Sequence, residues 1–223
     1  MQFSYDHSVR DKFPELKTAI ITVNGVSYTG NVSAWIAHFQ DIAATRLSGT
    51  TEGTFPEIQA WRKAFTRMGH KPTQYRCASE ALLRRFRSEG TLPSIHPLVD
   101  LCNSVSIAFA IPIAIFDLSK IEGCLTVRHA DGNELYESFN GATESPEKGE
   151  VIFADISARA HARRWVNRQS GYSAVSEGTQ SVMIIAEAMH DEASVDIGWL
   201  SIALRRTIAE TWPGALILEG EVQ

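Results

Sequence analysis

The side chains best suited to chemistry fall in two short stretches. Trp165, Asn167, Arg168 and Gln169 form the densest polar and aromatic cluster of the chain. Amides and a guanidinium around an aromatic ring suit a binding pocket, or stacking on a nucleic-acid base. The competing reading is a surface Arg–Trp stack. The second stretch is Cys102–Asn103, within LVDLCNSVSIAF. Asn103 can orient a water or an amine, or it can be a buried amide bonded to the next loop. Cys102 has no base supplied by its neighbours, so it reads as a small core residue. Glu150 and Asp155 flank VIFA. Either carboxylate can orient water, or pair with Arg128 or Arg164. Asp100 and Asp117 read as helix or turn caps.

Other chemistries lack their patterns. His96, His129, His161 and His190 show no HxxxH or HExxH spacing, and Cys77, Cys102 and Cys124 make no CxxC pair. The expectation is no metal site and reduced thiols. There is no GxxxxGK[ST] and no strand–GxGxxG–helix, so no cofactor is expected.

Charge is unevenly spread. Arg62, Lys63, Arg67, Lys71, Arg76, Arg84, Arg85 and Arg87 lie between Trp61 and Arg87 with one acid, Glu80, among them. Arg159, Arg163, Arg164 and Arg168 follow later with none. The two stretches hold 12 of the 21 Lys and Arg in a chain of net charge −5. Phosphate binding depends on local Lys and Arg, so an acidic chain can still present an RNA-facing side. Solvated helix faces are the alternative.

The elements that must position these residues follow from periodicity. Thr18–Val23 is a β-branched run followed by Asn24-Gly25 and Val26-Ser27-Tyr28, which predicts a hairpin. Trp35, Ile36, Phe39, Ile42, Ala43 and Leu47 recur at helical spacing. Thr54 is positioned to cap a helix through Trp61 and Phe65. Helices are also expected through Leu82–Phe86, after Pro97, and over Ile197–Thr211. Strands are expected at Ile113–Phe116, Leu125–Val127, Val151–Phe153, Val182–Ala186 and Ala215–Leu218. This mix points to an α+β fold, with a mixed or antiparallel sheet core flanked by helices. The 223 residues suit a single domain, with no linker long enough to divide them. Met1–Lys12 lacks an apolar signal core and no apolar run is of membrane-spanning length, so a cytoplasmic protein is expected.

Glu89–Gly123, EGTLPSIHPLVDLCNSVSIAFAIPIAIFDLSKIEG, resembles the B3/B4 editing domain of the phenylalanyl-tRNA synthetase β subunit. The likeness rests on Val99, Asp100, Asn103, Pro112, Phe116, Asp117, Ile121 and Gly123, in the order V-D-x-x-N and P-x-x-x-F-D-x-x-x-I-x-G. Val127-Arg128, Ala130, Gly132 and Glu134 continue it. Trp61-Arg62, Gly69-x-Lys71-Pro72, Gly149–Asp155 and Arg163-Arg164-Trp165 resemble free-standing relatives of that domain. The likeness runs from about Trp61 to Ala186. It implies a B3/B4-like domain over 61–223, with 1–60 as an N-terminal extension of helix and strand packed on it.

The resemblance further implies a role with tRNA or aminoacyl-tRNA: hydrolysis of a mischarged ester by a positioned water, needing no nucleophilic side chain. It implies Asn103, Glu150 and Gln169 as catalytic, and Cys102, Ala114, Trp165, Asn167 and Arg168 as pocket residues. Arg62, Lys63, Arg67, Lys71, Arg76, Arg84, Arg85, Arg163 and Arg164 would face RNA. A non-catalytic RNA-binding module and a small-molecule hydrolase or binding protein remain as alternatives. Three positions depart from the synthetase pattern. Cys102 stands where the family has threonine, Ala114 where it has histidine, and Ile185 where a late strand brings glutamate. These departures predict a loss of tyrosine preference. With no adenylate-forming motif, a complete aminoacyl-tRNA ligase is not expected.

Overall fold

The computed structural model describes residues 2–222. Its strands are β1 (Gln2–Tyr5), β2 (Lys17–Asn24), β3 (Ile113–Asp117), β4 (Cys124–His129), β5 (Tyr136–Glu137), β6 (Thr143–Glu144), β7 (Val151–Ala154), β8 (Ala160–Arg163), β9 (Arg168–Gln169), β10 (Ser181–Ala188) and β11 (Leu216–Gly220). Its α-helices are α1 (His7–Lys12), α2 (Ser33–Leu47), α3 (Pro56–Arg67), α4 (Ala78–Glu89), α5 (Pro97–Phe109) and α6 (Ala193–Thr211).

Alternation along β10 organises the molecule. β10 lies in an antiparallel sheet of order β11-β2-β10-β3. Ile184 sits opposite Ile21 and Ile115, and with Val182 and Ala186 it faces a core shared with Leu101, Val105, Leu200 and Leu204 of α5 and α6. Met183 and Ile185 point the other way. They join Ile20 and Phe116 in a second core, completed by Leu125, Val127, Val151, Phe153 and Trp165. That core links to the other large sheet, of order β1-β4-β7-β8-β9, in which β1 runs parallel to β4. One sheet thus serves both cores, which is the α+β arrangement expected.

Three expectations change. Asn24-Gly25 does not close a hairpin. Gly25 has the positive φ of a turn, +98°, but β2 is already paired to β10 on one edge and β11 on the other, leaving no edge for Val26–Tyr28. Thr54 does not cap α3; Phe55 occupies the N-cap and Pro56 begins the helix. The first sixty residues are more than a packed extension, because they supply an inner strand, β2, and the parallel strand β1.

Candidate functional site

The backbone between β8 and β9 is unusual. Arg164 and Trp165 both adopt left-handed conformations, with φ of 47° and 57°. A non-glycine residue there costs about 1–2 kcal/mol, so neighbours must hold the turn in place. Glu150 accepts the Arg164 amide at 2.8 Å, and the Val151 carbonyl accepts the Trp165 amide at 2.6 Å. Glu150 is itself fixed by Arg163, whose Nε and Nη2 donate to its two oxygens at 3.0 and 2.8 Å. Burial pushes the Glu150 carboxyl up, but the hydrogen bonds and charge of Arg163 and the Arg164 amide bring it below the usual carboxylate range. Glu150 therefore clamps this turn, and a free water-orienting base is not what its surroundings make of it. Its side borders a separate hollow with His70, His129 and Lys148.

The turn delivers Trp165 to the inside. Its indole is fully buried, edge-on to Phe13 and Trp61, and Nε1 donates to Glu187 at 2.8 Å. The ring is a wall, and its burial excludes stacking on a nucleic-acid base. Glu187 lies two residues beyond Ile185, on the same face of β10. It also accepts from the Tyr5 hydroxyl at 2.5 Å. Complete burial raises its carboxyl to about 7 despite those two donors.

Beyond Trp165, two small hollows adjoin, sharing Ile113 and Gln169. One, of about 50 Å³, is lined by Pro112, Ala114, Ala162, Trp165, Val166, Asn167 and Arg168. The other, of about 100 Å³, is lined by Asn103, Ile95, Val99, Ile115, Phe139 and Val175. Asn103 and Gln169, which are 66 positions apart, thus meet at one site. Gln169 donates from Nε2 to the Ile115 carbonyl at 2.6 Å, which leaves its Oε1 as an acceptor. The Asn103 side chain makes no hydrogen bond among the described residues, so donor and acceptor are both available. Asn167 braces the loop by donating to the Arg76 carbonyl at 2.7 Å, and Arg168 pairs with Glu144 at 3.0 Å.

Other expected residues lie elsewhere. Cys102 is buried among the α5–α6 core and lines neither hollow; burial drives its thiol well up, which removes it as a thiolate nucleophile. Asp117 caps the turn after β3, and Asp100 accepts from the amides of Ile95 and His96 ahead of α5. Asp155 holds the Ser157 and Arg159 amides. Ile113, Ala162 and the exposed Phe139 were not singled out from sequence. Phe139 lies beside a turn-rich run, a weak signal.

The basic runs are largely paired with acids, two of them one helical turn away and the others more distant in sequence. Arg62 and Arg76 meet Glu80, Arg84 meets Glu52, Arg67 meets Glu15, Arg85 meets Glu89, and Arg163 meets Glu150 and Glu144. Glu52 and Glu80 are buried. The pairs to Glu52 and Glu80 fasten α4 to its neighbours. Among the described residues Lys63, Lys71 and Arg164 form no ion pair, and Arg164 instead lies over the Tyr75 ring at 4.5 Å. Of the nine cations expected to face RNA, these three are left without a carboxylate partner among the described residues.

The architecture can be set beside known proteins. The profile of the B3/4 domain matches residues 60–206, more than half of the chain. The chain belongs to the B3/4 domain family. This B3/4 domain protein is 29% identical over 147 residues to the phenylalanine–tRNA ligase β subunit of Photorhabdus laumondii, a match covering 60% of this chain and 17% of the relative. It is 36% identical over 74 residues to the β subunit of Fusobacterium nucleatum, covering 33% of this chain and 9% of that one. The curated relatives are thus matched over less than a fifth of their length. An N-terminal fragment of the phenylalanyl-tRNA synthetase β subunit from Pyrococcus horikoshii shares the fold. Its TM-score is 0.54 at 12% identity, over 100% of this B3/4 chain and 51% of the fragment. No helix among the described residues is long and apolar enough to cross a membrane.

Proposed function

We propose that this B3/4 protein acts in trans on aminoacyl-tRNA, hydrolysing the ester of a mischarged amino acid. The observation that carries this reading is the meeting of Asn103 and Gln169 at one hollow in a family whose relatives include phenylalanine–tRNA ligase β subunits. The Gln169 Oε1 accepts a hydrogen bond from the attacking water and fixes its position, and the proton the water gives up passes to the leaving ribose oxygen. The Asn103 amide donates to the carbonyl oxygen as negative charge builds there. Water adds to the carbonyl carbon, the carbon–oxygen ester bond breaks, and the ribose oxygen leaves with a proton. Water supplies the nucleophile, which agrees with the burial of Cys102.

The adjoining hollow receives the amino-acid side chain. Pro112, Ile113, Ala114, Ala162 and Val166 give it an apolar lining, so the substrate is a small or aliphatic residue. The test is deacylation of a panel of mischarged tRNAs by the wild type, Asn103→Ala and Gln169→Ala. Turnover of at least one substrate, reduced in both variants, is expected; no turnover across the panel rejects the hydrolase.

One observation favours a second reading, a tRNA-binding module without hydrolysis. Glu150 and Asp155, the two carboxylates singled out as possible bases, are both engaged in structural hydrogen bonds. Salt-sensitive tRNA binding without ester cleavage selects this reading.

A further inference from the structure

A group with metal-ligand chemistry is assembled only by the fold. Glu57 lies in the first turn of α3, His190 just beyond β10, and Asp196 in the first turn of α6. One ligand atom from each, a ring nitrogen and two carboxylate oxygens, lies within 4.8 Å of the other two. Glu57 is 5% exposed and His190 8%. Each has one atom that is engaged and one that is not. Glu57 Oε1 accepts from Arg46 at 2.6 Å, while Oε2 has no partner. His190 Nε2 and Asp196 Oδ2 are 2.7 Å apart, while Nδ1 has no partner. Buried polar atoms left without partners are rare and costly. Glu57 Oε2 is one of six such atoms among the described residues, and Nε2, the nitrogen that faces Asp196, is the His190 atom placed to share an ion with the two carboxylates.

We propose that Glu57, His190 and Asp196 form a binding site for a divalent transition-metal ion of the zinc class. One imidazole nitrogen and two carboxylate oxygens suit such an ion better than magnesium, which favours oxygen alone, or copper(I), which favours sulfur. Two carboxylates offset the charge of the dication, and Arg46 offsets part of theirs, so binding is readily reversed by a chelator. His190, alone of the three, also lines a hollow of about 370 Å³ together with Met189, Gln59 and Lys63. Water enters there to complete the shell. The ion ties the start of α3 to the start of α6, two helices that begin 137 positions apart. The site shares no lining residue with the Asn103–Gln169 hollows, and it stands whether or not the chain hydrolyses an ester.

The experiment is titration of the chelator-stripped full chain with cobalt(II), read by visible absorption, then competition with zinc(II). The expected result is one ion per chain, giving d–d bands without thiolate charge transfer, displaced by zinc. Binding weakens by about tenfold or more in His190→Gln and in Asp196→Asn. Asp196 is one-third exposed, so its variant reports on the site even where the His190 variant does not fold. Absence of a saturable spectrum, a thiolate charge-transfer band, or equal binding by Asp196→Asn would each overturn the proposal.

Discussion

Trp165 Nε1 donates to Glu187 Oε1 at 2.8 Å inside a fully buried contact between the β8–β9 turn and β10. The indole that walls the hollow on one side is thereby anchored to a carboxyl on the other. The same oxygen accepts from Tyr5 on β1, so one acid joins three segments of distant sequence. Burial sets its ionisation, raising it from 4.5 to about 7.

That shift makes stability depend on pH. Between pH 4.5 and about 7 the folded state holds a proton that the unfolded chain has lost, so the stabilising contribution is complete below pH 4.5 and falls away as pH rises through about 7. The ceiling of the effect is about 3 kcal/mol. Chemical denaturation of Glu187→Gln is expected to show a flatter pH profile than wild type over this window. An unchanged slope would mean that Glu187 does not carry it.

Arg163 and Glu150 illustrate how a charged pair can be structural. Both are almost fully buried and joined by two hydrogen bonds. Removing one partner strands the other, at a cost of about 3–5 kcal/mol. Arg163→Ala is expected to lose stability of that order. Glu150→Gln keeps one oxygen as acceptor and lowers the melting temperature while leaving deacylation per folded molecule within about twofold. A rate loss of a hundredfold at full folding would restore Glu150 to the chemistry.

Much of this was legible in advance, for physical reasons that differ by residue. α5 carries helical spacing at Leu98, Leu101 and Val105, and the short apolar run Val182–Ala186 marks β10 as a strand, but with every position apolar it does not say which residues face which core. That Asn103 and Gln169 line one hollow was not legible from spacing, because they share it across β3, where Gln169 bonds the Ile115 carbonyl. The charge runs did not reveal which cations are paired. A run counts neighbours along the chain, whereas Arg62 finds Glu80 and Arg84 finds Glu52 across helices. The Asn24-Gly25 hairpin failed likewise, since the edges of β2 go to strands far downstream. Glu57, His190 and Asp196 have no spacing signature at all.

Asn103 and Gln169 separate function from folding. Asn103 makes no side-chain hydrogen bond among the described residues, so Asn103→Ala is expected to change stability by less than about 0.5 kcal/mol. Gln169→Ala gives up the bond to Ile115 and loses about 1 kcal/mol. Deacylation is expected to fall by about tenfold to a hundredfold in each, a range set by loss of one preorganised donor or acceptor. Wild-type rates in both variants, with melting curves in hand, would move the chemistry elsewhere.

Ala114 is one of the small side chains that line the apolar hollow. It sits opposite Ile185 across β3 and β10 and lines a cavity of about 50 Å³. Ala114→Val adds two methyl-sized groups to that space and narrows the range of side chains accepted. The expected outcome is a shift toward smaller amino acids of about tenfold to a hundredfold in kcat/KM, the usual weight of a methylene or two in an apolar pocket. An unchanged ranking over the mischarged panel would place the amino-acid side chain outside this hollow.

The ion pairs also set how many phosphates the proposed RNA ligand would be expected to meet. Were all nine singled-out Lys and Arg to meet phosphates, the logarithm of affinity would fall with the logarithm of salt at a slope of about 6 to 8. With six of them already committed to carboxylates, Lys63, Lys71 and Arg164 remain, and the slope expected for tRNA is about 2 to 3. Equilibrium binding across a salt series measures it directly. Lys71→Ala and Arg164→Ala should each lower the slope by about one, whereas Arg84→Ala, whose partner is Glu52, should leave it unchanged. A slope near that of nine contacts would require all six of these ion pairs, those to Glu52 and Glu80 included, to open on binding. The Arg84 variant would then show it, because its loss would flatten the series as much as the loss of Lys71.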